Sequence, residues 1–317
     1  MHIYLVTFLT GLLVTYFCTP VVRLFAQKIN AVDIPNDRKV HSEPIPRLGG
    51  LAIYAGFLAA LAAASILISY SGMRVDWRMI FGVCLGGTLL LAIGLLDDIR
   101  GLRPMTKLFW QIAAAAIVIA WGIEINFLSN PFNGIYILGF FAIPLTLLWV
   151  VGLTNAMNLI DGLDGLAAGV TAISCLTLFV VALRTHQIGA ALLMLALGGA
   201  ALGFLRFNFF PASIFLGDSG ALFLGFVLAS ASIVGVLKTT LVVALVIPVL
   251  ILGVPIFDTL FAIGRRLKNR KHPFEADNKH IHHMLLRAGF EKREAVLAIY
   301  IVCFLLSFIA LVMALQR

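Results

Sequence analysis

Apolar residues run along this chain in blocks long enough to cross a bilayer, and polar residues fall mostly in the gaps between them. A run of about 18 or more apolar residues marks a membrane-spanning helix, because a helix satisfies its own backbone hydrogen bonds in hydrocarbon. The pattern predicts an all-α polytopic integral membrane protein of about ten helices, at 3–24, 48–70, 79–96, 106–123, 138–160, 165–183, 188–205, 219–237, 240–263 and 295–315. The first run has no basic residue before it and no small-residue cleavage site after it, so it reads as a retained helix rather than a signal peptide. Gly82/Gly86 and Gly199/Gly203 have the four-residue spacing of close helix packing, although small residues are also simply tolerated in lipid. With no internal repeat, the whole chain, 1–317, reads as a single membrane-embedded domain.

Composition agrees with the pattern. The chain is 61% hydrophobic and 12% charged, with mean hydropathy +1.04, where a soluble domain carries roughly a quarter charged residues. Cys18, Cys84, Cys175 and Cys303 all lie inside apolar runs without metal-ligand spacing, which argues against disulfides and against a cysteine metal site. The net charge of +8 is first a topology signal. If both termini are outside, the segments 25–47, 97–105, 155–164, 206–218 and 264–294 share one face. That face, with the adjoining helix ends, then holds 18 of the 23 Lys and Arg, which the positive-inside rule assigns to the cytoplasm.

The same assignment brings Asp97, Asp98, Asp161, Asp164 and Asp218 to that face, and puts Asp258 about a turn and a half inside it. A carboxylate within a membrane helix is costly, so such residues are candidates for function. The opposite face has Asp76 and Glu124 but no polar motif, which suits a one-sided active site better than a pathway through the bilayer. A secondary transporter, the rival reading, would need polar residues at mid-membrane and on both faces.

Four motifs carry candidate chemistry. In "GLLDDIRG" Asp97 and Asp98 end the third helix; adjacent carboxylates repel, which raises one pKa or invites a cation between them. Lys107 follows, placed to hold a phosphate or to reach the interface. In "TNAMNLIDGLDGLAAG" steps of three place Asn155, Asn158 and Asp161 along one helix end, and Asp164 is set to cap the sixth helix. Amide oxygens and carboxylates are hard ligands, fit for Mg²⁺. In "RFNFFPASIFLGDSG" Asn208 and Asp218 flank an aromatic patch that includes Phe215, and Asp218 opens a helix whose N-terminus attracts anions unless a metal intervenes. The segment 264–294, which opens with "GRRLKNRKHPFEADNKHIHHMLLRAGF", holds nine Lys/Arg and the cluster His280, His282 and His283, whose spacing is poor for zinc on one helix face. An earlier loop adds Lys39, His41 and Arg47 on the same side.

Taken together, Lys39, His41, Pro46, Gly49-Gly50, Asp97-Asp98, Lys107, "NAMNLIDGLDGL", Asn208, "FLGDSG", Pro255, Asp258 and "HIHH" resemble the polyprenyl-phosphate N-acetylhexosamine-1-phosphate transferases, in that family's order across residues 39 to 283. The "HIHH" form is similar to the WecA/TagO-type UDP-GlcNAc branch. The resemblance implies transfer of GlcNAc-1-phosphate from UDP-GlcNAc to undecaprenyl phosphate, with UMP released. That would be a first step of cell-envelope polysaccharide synthesis, such as teichoic acid or O-antigen, at the cytoplasmic face of a bacterial inner membrane. It implies Mg²⁺, with Mn²⁺ able to substitute, held by Asp218 and Asn158. It further implies Asp97 or Asp98 at the lipid phosphate with Lys107 beside them, Asp161 and Asp164 in the nucleotide pocket, Asn208 and Phe215 near the uridine, and the histidines at the diphosphate or sugar. Asn155, Lys39 and His41 complete the expected substrate-binding set. No nucleic-acid partner is implied, and a homodimer is compatible with the sequence.

Overall fold

A computed structural model describes residues 2–33, 44–129, 135–237, 246–268 and 280–315. The helices are α1 (His2–Lys28), α2 (Gly49–Ser71), α3 (Trp77–Arg100), α4 (Pro104–Ala120), α5 (Ala142–Ile160), α6 (Leu166–Arg184), α7 (Ile188–Asn208), α8 (Gly217–Ser232), α9 (Val246–Ile251), α10 (Gly253–Lys268), α11 (Ile281–Arg287) and α12 (Lys292–Leu315). Among the described residues eight helical segments are long and apolar enough to cross a membrane: α1, α2, α3, α5 with its leading turn, α6, α7, α8 with the π-turn after it, and α12. With α4, an apolar helix of 17 residues at the short end of the spanning range, they make this a multi-pass membrane protein.

Burial sorts the helices. The spanning window of α8 is 89% buried while that of α1 is only 22% buried, so α8 is the axis of the bundle and α1 lies at its periphery. The sequence of α8 explains this: after Ser219 every residue to Ser232 is apolar or small, with no polar face to present to water. It packs on α3, α5 and α2, while α1 packs on α2 and α7. The glycine pairs do serve close packing. A Cβ on Gly199 or Gly203 would overlap the carbonyl oxygens of Phe8 or Leu12 in α1, and one on Gly86 would overlap the Phe226 ring of α8.

Several boundaries differ from the sequence pattern. The run 240–263 is not one continuous helix: its first residues lie outside the described set, and the rest breaks at Leu252 between α9 and α10. The run from Arg206 to Asn208 belongs to the last turn of α7, not to the following loop. Inside the predicted loop 264–294 stands the short helix α11. Two small antiparallel ribbons are also present, β1 (Val32–Asp33) with β2 (Ile45–Pro46), and β3 (Phe127–Ser129) with β4 (Ile135–Ile137). Apolar periodicity does not signal strands this short. The first ribbon matters for the site, because Phe215 N–H donates to the Pro46 carbonyl at 2.7 Å and draws the ribbon onto the start of α8.

The glycine contacts predict opposite outcomes for two substitutions. Gly203→Val should push α1 from α7 and lower stability by about 1–3 kcal/mol. Gly152→Ala, in α5 with nothing within 4 Å of an added Cβ, should leave the detergent melting temperature unchanged or slightly raised. Thermal unfolding of both variants in the same detergent checks this.

Candidate active site

Helix N-termini leave N–H groups without intrahelical partners. At the start of α8 a residue from another helix supplies them. Asp98, in the last turn of α3, accepts from Asp218 N–H at 2.8 Å, from Ser219 N–H at 3.1 Å and from the Ser219 hydroxyl at 2.7 Å. Two glycines permit the approach. Gly94, one turn before Asp98, lets α3 lie against Ser219, and Gly217, at φ +74, leaves room for the Asp98 carboxylate itself.

Its neighbour faces elsewhere. Asp97 accepts from the Leu102 N–H and from Lys107 Nζ at 2.8 Å, and the same Nζ lies 2.7 Å from Asp218 Oδ2. The expected cation therefore sits between Asp97 and Asp218, not between the adjacent aspartates, because each turns to a different partner. Asp218 is completed by the Asn158 side chain, whose Nδ2 donates to Oδ1 at 3.2 Å. Asp218 keeps 30% of its side chain exposed, against 9% for Asp97.

These groups border a cleft of about 380 Å³ lined by Asp98, Asn158, Asp161, Asp164, Asn208, Phe215 and Asp218, and also by Asp33, Arg47, His283 and Lys292. The turn after α5 forms part of the wall. Asp164 does not cap α6 with its side chain. Gly165 takes the N-cap position at φ +78, and Asp164 Oδ2 instead accepts from Ala212 N–H at 2.9 Å. Asn208 clamps the same turn, accepting from Gly165 N–H at 3.1 Å and donating to the Ile214 carbonyl at 3.0 Å. Tyr300 of α12 donates to the Gly165 carbonyl at 2.6 Å. Desolvation within the site, and then the charges of Asp218, Asp98 and Asp164, push the Asp161 carboxyl up to about 8.

The histidines occupy three different environments. Asp258 of α10 accepts from Ile281 N–H at 2.8 Å and holds His280 Nδ1 at 2.8 Å, so it caps α11 and fixes that ring. His282 is buried with its ring over Gly162, where a Cβ would overlap Nε2, and its Nδ1 has no hydrogen-bond partner among the described residues. Burial, then the neighbouring His283 and His280, push it down to about 4, opposed by Asp258. His283 reaches the cleft. Among the described residues no three His, Cys, Asp or Glu side chains form a metal-binding group.

The structure thus brings Asp98, Asn158, Asp161, Asp164, Asn208, Phe215, Asp218 and His283 to one cleft, with Asp97 and Lys107 joined to it through Asp218. Asn155 is elsewhere: its amide pairs with Gln111 of α4, at 2.6 Å and 3.2 Å, and also donates to the Val151 carbonyl. His280 and His282 back the site without lining the cleft. Lys39 and His41 lie outside the described residues. Sequence reasoning passed over Asp33, which pairs with Arg47, and Lys292. Asp33 opens the polar loop "DIPNDRK" and Lys292 stands in the charged run "EKRE", where nothing local sets either apart from its neighbours; Gln111, a lone amide in an apolar run, is a visible signal in the sequence.

A polar cleft walled by a bundle of apolar helices, with carboxylates gathered from several of them, defines a membrane-embedded enzyme, and residues 80–236 match the family model described as Glycosyl transferase family 4. A Bacillus subtilis (strain 168) protein named "Probable undecaprenyl-phosphate N-acetylglucosaminyl 1-phosphate transferase" is 43% identical over 309 residues, covering 97% of this chain and 84% of the relative. A Mycolicibacterium smegmatis protein named "Decaprenyl-phosphate N-acetylglucosaminephosphotransferase" is 39% identical over 92% of this chain and 78% of its own length. The Escherichia coli (strain K12) protein named "Undecaprenyl-phosphate alpha-N-acetylglucosaminyl 1-phosphate transferase" is 29% identical over 90% of this chain and 77% of its own length. The chain belongs to the family of polyprenyl-phosphate N-acetylhexosamine-1-phosphate transferases.

The depressed His282 pKa carries a sign. A histidine whose folded value lies below its ordinary 6.5 contributes stability that is present above pH 6.5 and is lost as the pH falls toward 4. The wild-type melting temperature should therefore drop across that window more steeply than that of His282→Gln. Parallel pH–melting curves in one detergent measure the difference.

Proposed function

We propose that this enzyme transfers GlcNAc-1-phosphate from UDP-GlcNAc to undecaprenyl phosphate, at the cytoplasmic face of a bacterial inner membrane. The relatives' names support the sugar phosphate and the polyprenyl acceptor. The observation that carries the reading is the convergence of Asp218, Asn158, Asp161 and Asp164 on one cleft, with Lys107 linking Asp218 to Asp97 at its edge. The Lys/Arg bias of the same end of the bundle supports its cytoplasmic orientation.

In the reaction an oxygen of the lipid phosphate forms a bond to the β-phosphorus of the sugar nucleotide, and the bond from that phosphorus to the bridging oxygen breaks, releasing UMP. Asp98 is committed to the α8 N-terminus, so its contribution is to hold Asp218 in place. Asp97 is the better candidate to meet the incoming phosphate, since its partner Lys107 can shift from carboxylate to phosphate and draw the acceptor in. Asp161 and Asp164, on the turn clamped by Asn208, bound the pocket for the nucleotide. His283 reaches the cleft as a hydrogen-bond donor toward the diphosphate or sugar.

The donor set also fits Mg²⁺. That ion usually takes one or two carboxylates and completes its shell with water and substrate phosphates, so no cluster of three acids is required. Asp218, partly exposed to the cleft, and the Asn158 amide beside it would hold it. When bound, Mg²⁺ would supply charge neutralisation for the diphosphate.

Purified protein supplied with UDP-GlcNAc, undecaprenyl phosphate and Mg²⁺ should release UMP in step with lipid-linked GlcNAc-1-phosphate. Asp218→Asn should cut turnover by about two orders of magnitude or more while the melting temperature stays near wild type. Asp97→Asn should cut turnover by a similar factor with UDP-GlcNAc binding retained. Near-normal turnover in Asp218→Asn would reduce that residue to a helix-end group.

A further inference from the structure

The cleft is rich in negative charge for a site that takes phosphates. Asp33, Asp98, Asp161, Asp164 and Asp218 all line it. Lys107 does not line it and is engaged by Asp97 and Asp218. Arg47 lines it but is paired with Asp33, so that pair adds little net charge. One further lysine on the wall comes from an unexpected place, the first residue of the last helix.

We infer that Lys292 is a substrate-binding residue of this enzyme, contacting phosphate oxygens in the cleft. The inference rests on the reaction proposed above and extends it to α12, outside the stretch that matches the family model.

Three features place Lys292 for this task. It lines the cleft wall together with Asp164 and His283. Its Nζ lies 5.5 Å from the centroid of the Phe210 ring, so an aromatic face supports the ammonium and restrains the long side chain. The start of α12 is itself fixed, because Glu294 accepts the Glu291 N–H at 2.9 Å, as in a capping box, and Tyr300 of the same helix anchors the Gly165 turn. The helix therefore presents Lys292 in constant register with Asp161 and Asp164. The positive end of the 24-residue α12 dipole adds to the attraction for an anion. The other lysine of the histidine-loop region that is described, Lys268, is exposed at the end of α10 and does not line the cleft.

Phosphate reaches this cleft from two sources, the nucleotide diphosphate and the lipid phosphate, and kinetics separates them. Michaelis constants for UDP-GlcNAc and for undecaprenyl phosphate are to be measured on full-length wild type, Lys292→Ala, Lys292→Arg and Lys268→Ala, with melting temperatures recorded for each. Inhibition by UDP and by uridine is measured alongside. Lys292→Ala should raise one of the two Michaelis constants by about tenfold or more, the loss expected for a charge-assisted hydrogen bond. Lys292→Arg should recover most of it, and Lys268→Ala should match wild type. A shift in the donor constant, with weaker inhibition by UDP and unchanged inhibition by uridine, assigns the contact to the diphosphate. A shift in the acceptor constant assigns it to the lipid phosphate. Unchanged constants in Lys292→Ala overturn the inference and leave the reaction standing. Equal loss in the Ala and Arg variants with lowered melting temperatures also overturns it, as a purely structural role. If wild type releases no UMP from UDP-GlcNAc, the proposed reaction fails and Lys292 falls with it. If Lys292→Ala does not fold, Lys292→Gln takes its place in each comparison.

Discussion

The unpaired N–H groups at the start of α8 are the constraint around which the site is organised. From Ser219 onward that helix is buried, so water cannot satisfy its first turn cheaply. The Asp98 carboxylate does so from α3, through Asp218 N–H, Ser219 N–H and the Ser219 hydroxyl. A charged acceptor makes these bonds stronger than neutral ones. The contact exists only because Gly94 and Gly217 lack side chains at the crossing. From it follow the position of Asp218, the bridge through Lys107 to Asp97, and the contact with Asn158 on α5. One capping interaction thus registers three helices against each other at one end of the bundle.

A second network holds the other wall. The Gly162–Gly165 turn has no regular secondary structure of its own to fix it, and partners on several sides do so instead. Asn208 comes from α7, the Ala212 N–H from the connection to α8, Tyr300 from α12, and His282 packs over Gly162. Asp258 in turn holds α11, the helix that carries His282 and His283. Rigid support of this kind suits a site in which Asp161 and Asp164 must stay close to other carboxylates despite their repulsion. Desolvation first, and then that repulsion, raise the Asp161 carboxyl. A bound cation would relieve it, which is the electrostatic logic behind proposing Mg²⁺ here.

The division among the histidines illustrates how little a motif says about roles. His280, His282 and His283 are almost contiguous, yet the first is held by Asp258, the second is packed in the interior and only the third reaches the cleft. On a short helix neighbouring residues point about 100° apart, so adjacent letters meet different surroundings. The paired aspartates divide in the same way, Asp98 to the α8 backbone and Asp97 to Lys107.

The amino-acid sequence by itself determined the class of fold, since runs of apolar residues of bilayer length have few alternatives to spanning helices. It also marked the polar motifs at one end of the bundle, because acids among such runs are too costly to be incidental. Residues such as Asp161, Asp164, Asn208 and Asp218 were legible for that reason. The break at Leu252, the α11 helix and the short ribbons were not, because their signals span only a few residues and depend on packing. Nor could sequence tell that Asn155 pairs with Gln111 while Asn158, three residues on, meets Asp218. That choice is made by which helices stand beside α5. The tertiary structure likewise decided that Lys292 and the Asp33–Arg47 pair join the cleft. Their positions follow from where distant helices and a ribbon dock, and no local pattern of side chains encodes the meeting of segments so far apart in the chain.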